Sequence, residues 1–99
     1  MSVPAVLPAD ELRSRLDDLP GWGVVDGKLH RELRFPDFVT AWGVMTSIAV
    51  VAEKMNHHPE WSNVYSRVVI DLVTHDAGGI TELDLALAAE VERLAGSAS

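Results

Sequence analysis

Residues 53–61 read Glu-Lys-Met-Asn-His-His-Pro-Glu-Trp, and His75 stands seventeen positions past His58. Three of the four histidines in the chain therefore gather around one segment. The unperturbed imidazole pKa, about 6.5, lets histidine give or take a proton near neutral pH. Pro59 cannot continue a helix and biases His58 away from helical geometry. His57 and His58 are thus expected at a stiff helix-to-strand corner, where a cleft can form. Glu53 and His57 lie four residues apart, on one helix face, and are expected to touch. A carboxylate beside an imidazole favours the charged form, which suits a general acid. Trp61 and Tyr65 offer flat surfaces to an aromatic ring. The set fits acid–base work on a planar heterocycle. Ser62 and Ser66 have no spacing to an acid or base that would mark an activated nucleophile.

Each of these residues also has a plainer role. A His-His-Pro run can simply end a helix, with imidazolium complementing the dipole and proline stopping the turn. Glu53 can be a solvated helix residue, Asp84 a cap, and Trp61 a core residue beside Trp22 and Trp42. His75 weighs against that plainer reading, because it has exposed strand parity and precedes the glycine-rich break 77–79. Glu53, His57 and His75 could also make a three-ligand metal set with an open position. No tightly spaced histidine pair supports chelation, and adjacent histidines diverge, so metal-free acid–base chemistry is the expected reading.

These residues need a scaffold. A helix is expected over 8–19, where Pro8 suits the first turn, Asp10 and Glu11 favour the positive end, and Leu12, Leu16 and Leu19 form a stripe. Leu19-Pro20-Gly21 ends it. Two strands follow around Trp22, Val24, Leu29, Leu33 and Phe35, with Asp26-Gly27 as their hairpin turn. A long helix over 36–55 carries two apolar stripes: Phe38, Trp42, Met45, Ala49 and Ala52, and then Ala41, Val44, Ile48, Val51 and Met55. A helix apolar around so much of its surface needs more cover than one sheet gives, which points to a second subunit. A strand is expected over 64–74, with Val64, Val68, Ile70 and Leu72 facing the core. A last helix opens at Thr81, whose spacing to Asp84 makes a capping box, and buries Leu83, Leu87, Val91 and Leu94. The pattern is α+β: an antiparallel sheet covered on one face by helices, with a fourth strand expected around 61–64 or 74–80.

Composition sets the limits. Ninety-nine residues at 47% hydrophobic content make one globular domain over 1–99. The absence of cysteine removes disulfides, thiolate nucleophiles and cysteine–zinc sites, and agrees with a cytoplasmic setting. The amino terminus lacks a signal-peptide pattern, and no uninterrupted apolar run approaches the ~20 residues of a membrane span. Fifteen acidic against eight basic residues, net −7, disfavour direct nucleic-acid binding. The Gly-Ser-Ala-Ser tail is expected to fray.

The run from Glu53 to Tyr65, followed by Thr74-His75-Asp76 and Gly79-Ile80-Thr81-Glu82-Leu83-Asp84, resembles the pterin-4a-carbinolamine dehydratases. In animals the same family is called the dimerization cofactors of a homeodomain transcription factor. The likeness extends to Leu19-Pro20-Gly21-Trp22 and Phe35-Pro36-Asp37-Phe38, and so covers nearly the whole chain. Ile80 stands where the family usually has leucine. The resemblance implies a four-stranded antiparallel sheet with helices on one side, in dimers or tetramers. It implies a hydro-lyase that dehydrates 4a-hydroxytetrahydropterin to quinonoid dihydropterin, recycling the cofactor of aromatic amino-acid hydroxylases, with no metal and no bound cofactor. By the same carry-over His57 and His75 are general acids, one for each face of the ring, and His58 orients substrate. Glu53, Asn56, Pro59, Trp61, Thr74 and Asp84 form the supporting and binding set. The alternative is a non-catalytic interaction module that works through its long helix.

Overall fold

The computed structural model describes residues 3–96, so the readings of Met1-Ser2 and of the tail at 97–99 lie outside the described residues. Helix α1 (Ala9–Leu16) is shorter than expected and buries none of its residues fully. Leu12 and Leu16 pack against the core as partly buried side chains, and Leu19 enters it from the turn beyond. Gly21 in that turn has φ +92°, which favours glycine, and a Cβ there would have to push aside the end of the flexible Arg31 side chain, 2.6 Å away.

Strands β1 (Gly23–Val25) and β2 (Lys28–Arg34) form the expected hairpin. Asp26 and Gly27 both take positive φ, 52° and 77°, as a primed two-residue turn demands. Leu29 and Leu33 face the helices. Arg31 shares their parity, and its Nε donates to Glu92 Oε1 at 2.8 Å. The same oxygen accepts from the buried Trp22 indole at 2.7 Å.

Helix α2 (Phe38–Met55) starts at Asp37, whose carboxylate accepts the Thr40 N–H at 2.7 Å. Its inner face is Ala41, Val44, Met45, Ile48 and Ala52. This is one stripe drawn from both predicted ones. Phe38, Val39, Trp42 and Val50 face outward. Trp42, expected in the core, is 49% exposed and donates through its indole to Asn63 at 3.0 Å. By length and composition alone this 18-residue helix, mean hydropathy 1.2, would pass for a membrane span. Its inner face instead packs on the sheet and the last helix.

Strands β3 (Glu60–Val64) and β4 (Arg67–Leu72) replace the single strand expected over 64–74. Tyr65, at φ 53°, turns the chain there and resets the side-chain alternation. Val64 therefore ends on β3, 64% exposed, while Val68, Ile70 and Leu72 keep their core places. The fourth strand is one of the two stretches named for it; the other contributes an isolated bridge, Thr74 to Gly79. The sheet order is β1-β2-β4-β3, all antiparallel.

Helix α3 (Glu82–Gly96) packs beside α2 and buries Leu85, Leu87, Ala88, Val91 and Ala95. Leu83 and Leu94, expected in that stripe, are only partly buried. The sheet's other face carries charge: Lys28 with Glu60, His30 with Asp71 and Arg67 with Glu32 pair across strands, and Arg34 pairs with Glu32 along β2. One face apolar and one charged gives the expected α+β layer.

Candidate active site

The corner is built by a residue the proline argument passed over. Helix α2 stops at Asn56, in left-handed geometry at φ 53° and ψ 41°, three residues before Pro59. The Asn56 N–H donates to Glu53 O at 3.1 Å and the His57 N–H to Ala52 O at 3.0 Å, a Schellman closure. His57 therefore lies beyond the helix, and the four-residue spacing from Glu53 no longer applies. Glu53 instead meets His58, Oε1 to Nε2 at 2.7 Å, out in solvent.

His57 turns inward. Only 8% exposed, it sets Nε2 at 2.5 Å from Oδ1 of the fully buried Asp84. Asp84 is the third residue of α3, and its Oδ2 accepts the Thr81 N–H at 2.9 Å, which completes the expected capping box. The same Oδ2 accepts the Thr74 hydroxyl at 2.9 Å. A carboxylate at the first turn of a helix also sits in a favourable field from the helix dipole. Asp84 is thus both cap and histidine partner, and it has no exposed surface with which to touch a ligand.

His75 lies on the turn between Thr74 and Gly79 and is 73% exposed, in line with its predicted parity. Its Nε2 stands 3.6 Å from Glu60 Oε1. Glu60 is tied to Lys28, Nζ to Oε1 at 2.8 Å, and that hydrogen bond chiefly holds its carboxyl below the ordinary glutamate value, with a smaller push from His75. The same pair raises Lys28 above the usual lysine value.

His57, His58, His75 and Thr74 line one open cavity of about 830 Å³, together with Asn56 and Asp76. Met55, Leu83 and Ala86 give it an apolar wall, and Val3 and Pro4 close one end. That size and mixture suit a small heterocycle. Glu53, Pro59, Trp61 and Asp84 are not on its surface, and Tyr65 lies at the far end of β3. Trp61 packs against the core. Sequence reasoning missed Met55, Leu83 and Ala86, although 82, 83 and 86 fall on one side of the first turn of α3; nothing in the sequence marks Val3 and Pro4. Glu53, His57 and His75 each face a different partner, and no group of three metal-binding donors converges among the described residues.

The arrangement supplies up to three imidazoles to one bound ring, each paired with its own carboxylate. Asp84 only accepts, so Nε2 of His57 carries the hydrogen of their bond. No buried side-chain polar atom lacks a partner among the described residues, and Nδ1 of His57 has no partner among them. That nitrogen therefore opens on the cavity, free to carry a proton to or from a ligand.

The family model for pterin 4 alpha carbinolamine dehydratase matches residues 5–94. A protein of Solibacter usitatus, provisionally named pterin-4-alpha-carbinolamine dehydratase, is 57% identical over 90% of this chain and 94% of its own length. One from Burkholderia orbicola with the same provisional name is 51% identical over 93% and 92%. A crystal structure described as a transcriptional coactivator/pterin dehydratase of Brucella melitensis superposes with a TM-score of 0.89 at 44% identity, covering 92% of this chain and 99% of that one. A pterin dehydratase-like protein described as a RuBisCO assembly factor in the alpha-carboxysome shares the fold alone, at TM-score 0.63 and 24% identity over 76% and 87%. The chain belongs to the pterin 4 alpha carbinolamine dehydratase family of hydro-lyases.

Proposed function

We propose that this protein dehydrates 4a-hydroxytetrahydropterin to quinonoid dihydropterin by histidine general acid catalysis. The observation that carries the reading is the convergence of His57, His58 and His75 on one cavity, with His57 locked to a buried carboxylate. In a carbinolamine the neighbouring nitrogen pushes its electron pair toward carbon as the C–O bond breaks, and that nitrogen loses its hydrogen to leave a C=N bond. The departing oxygen would leave as hydroxide, a poor leaving group, unless an acid protonates it. A positioned imidazolium supplies that proton, worth about a hundred- to ten-thousand-fold in rate. His57 is the anchored acid and His75 the exposed one, so the two can serve opposite faces of the ring. His58 orients the substrate from the rim.

The product is the form that must be reduced to regenerate a tetrahydropterin, and this supports reading the enzyme as one that recycles the cofactor of aromatic amino-acid hydroxylases, in the cytoplasm. Replacing His57 and His75 together by Gln and following dehydration by absorbance tests the reading. Activity is expected to fall by at least a hundredfold; unchanged activity would sink the acid assignments.

A second reading, an interaction module acting through α2, draws on the apolar outer face of that helix. The two separate cleanly, because α2's outer residues do not line the cavity. Loss of partner binding in Val50→Glu, with the histidines dispensable, would favour the module.

A further inference from the structure

Behind His57 lies a run of hydroxyls that the acid assignments do not use. Thr74 Oγ1 is 2.9 Å from Asp84 Oδ2 and 2.8 Å from Thr81 Oγ1. Thr81 Oγ1 is also 3.2 Å from the Leu83 N–H. Thr81 and Asp84 are fully buried, and Thr74 is 6% exposed.

Elementary donor counting fixes the direction of this chain. A carboxylate can only accept, so Thr74 gives its single hydroxyl hydrogen to Asp84. The bond between the threonines must then be donated by Thr81, whose own oxygen accepts from the Leu83 N–H. The hydrogens therefore run one way, from Leu83 to Thr81 to Thr74 to Asp84. Asp84 Oδ2 holds two donors, Thr74 and the Thr81 N–H, and only Oδ1 remains for His57. Chains of this kind polarise along their length in a poorly solvated interior.

We propose that Thr74 and Thr81 are positioning residues: they hold Asp84 so that neutral His57 exists as one tautomer, hydrogen on Nε2 and Nδ1 bare toward the cavity. This rests on the dehydratase reading for its catalytic meaning, since Nδ1 is then the nitrogen that loads and delivers the proton. It also changes the role of Thr74. Although Thr74 borders the cavity, its one hydroxyl hydrogen is committed to Asp84, so it does not bind substrate by donation.

The test separates the two claims. Nitrogen-15 NMR of His57 in the intact protein, without substrate, reads the tautomer directly and is independent of turnover. Wild type is expected to show a single Nε2–H tautomer in the neutral form. Thr74→Val keeps shape but removes one of the two donors that pin Asp84 Oδ2, so the carboxylate turns off Nε2 for part of the time. A mixture of tautomers is expected, and Thr74→Ser restores the single one. In dehydration assays Thr74→Val should lower kcat about tenfold to a hundredfold, the worth of one hydrogen bond to a charged group, with KM nearly unchanged. Where Thr74→Val does not fold, Thr81→Val read against Thr81→Ser serves instead, with the same mixture to a smaller extent. A single Nε2–H tautomer in the valine variant overturns the proposal, and so does a rise in KM with kcat intact. Inactivity of wild type toward the pterin, with the tautomer result as expected, would instead overturn the dehydratase reading and leave the positioning role standing.

Discussion

Asp84 and His57, twenty-seven residues apart in sequence, meet at 2.5 Å where the end of α2 crosses the start of α3. The carboxylate has no exposed surface, and its other oxygen faces two donors. An Asn at 84 would turn its carbonyl toward Thr74 and Thr81, which leaves its amide N–H facing Nε2 of His57. Donor would then confront donor unless the imidazole moved its hydrogen to Nδ1. Asp84→Asn is therefore expected to keep the fold and lose about a hundredfold or more in kcat, through the wrong tautomer. Thermal unfolding and dehydration kinetics on one preparation check this. Near wild-type turnover would show that His57 needs no such partner.

The corner itself depends on Asn56. Its φ of 53° is tolerated by asparagine and glycine and resisted by β-branched residues, at roughly 1–2 kcal/mol. Asn56→Gly should match wild type in denaturant to within a few tenths of a kcal/mol. Asn56→Val should lose about 1–2 kcal/mol and also activity, because His57 hangs from the next peptide. Equal stability of the two variants would show that the left-handed cap is not what ends α2.

Elements announced by local chemistry were legible in the sequence: the Asp26-Gly27 turn, the Asp37 and Thr81 starts, and the alternation of Val68, Ile70 and Leu72. The three cavity histidines were legible too, because their number and spacing are unusual. Their partners were not. Helical spacing pairs Glu53 with His57, and one left-handed residue, Asn56, transfers it to His58. Spacing alone makes Asp84 a cap, and only the family resemblance sets it among the supporting residues, because sequence shows which backbone a side chain can serve but not which other chain segment crosses there. Tyr65 at positive φ has no compositional signal, so the β3–β4 turn was missed and Val64 was misplaced. Trp42 falls on an apolar stripe and so reads as core, although an indole can stay exposed when its N–H finds a partner such as Asn63.

Acid should loosen the structure through two surface pairs. Glu82 sits below the ordinary glutamate value chiefly because Arg15 hydrogen-bonds it, and Glu60 does so chiefly through Lys28. Each binds its proton more weakly folded than unfolded. The stability each adds is present above the unfolded value, about 4.5, and is lost as pH falls through the lower folded value. Urea midpoints measured between about pH 5 and 3 should fall more steeply for wild type than for Glu82→Gln. Parallel curves would mean that the Arg15 pair contributes nothing to folding, as exposed pairs often do.

The outer face of α2 carries Phe38, Val39, Trp42 and Val50, the last 65% exposed, and Phe38 packs edge-on against Trp42 at 6.1 Å. The inner face already satisfies the core, so these side chains have no cover within one chain. Burying a side chain of this kind gains about 1.5–3 kcal/mol, and four on one helix are enough to drive self-association when two copies align. Sedimentation of the wild type should therefore give a dimer or tetramer. Val50→Glu should weaken association by at least tenfold in Kd, since it replaces an apolar contact with a charge that lacks a partner in the interface. It should leave the far-ultraviolet spectrum unchanged, because residue 50 takes no part in the core. A wild type that sediments as a single subunit at micromolar concentration would remove the association argument.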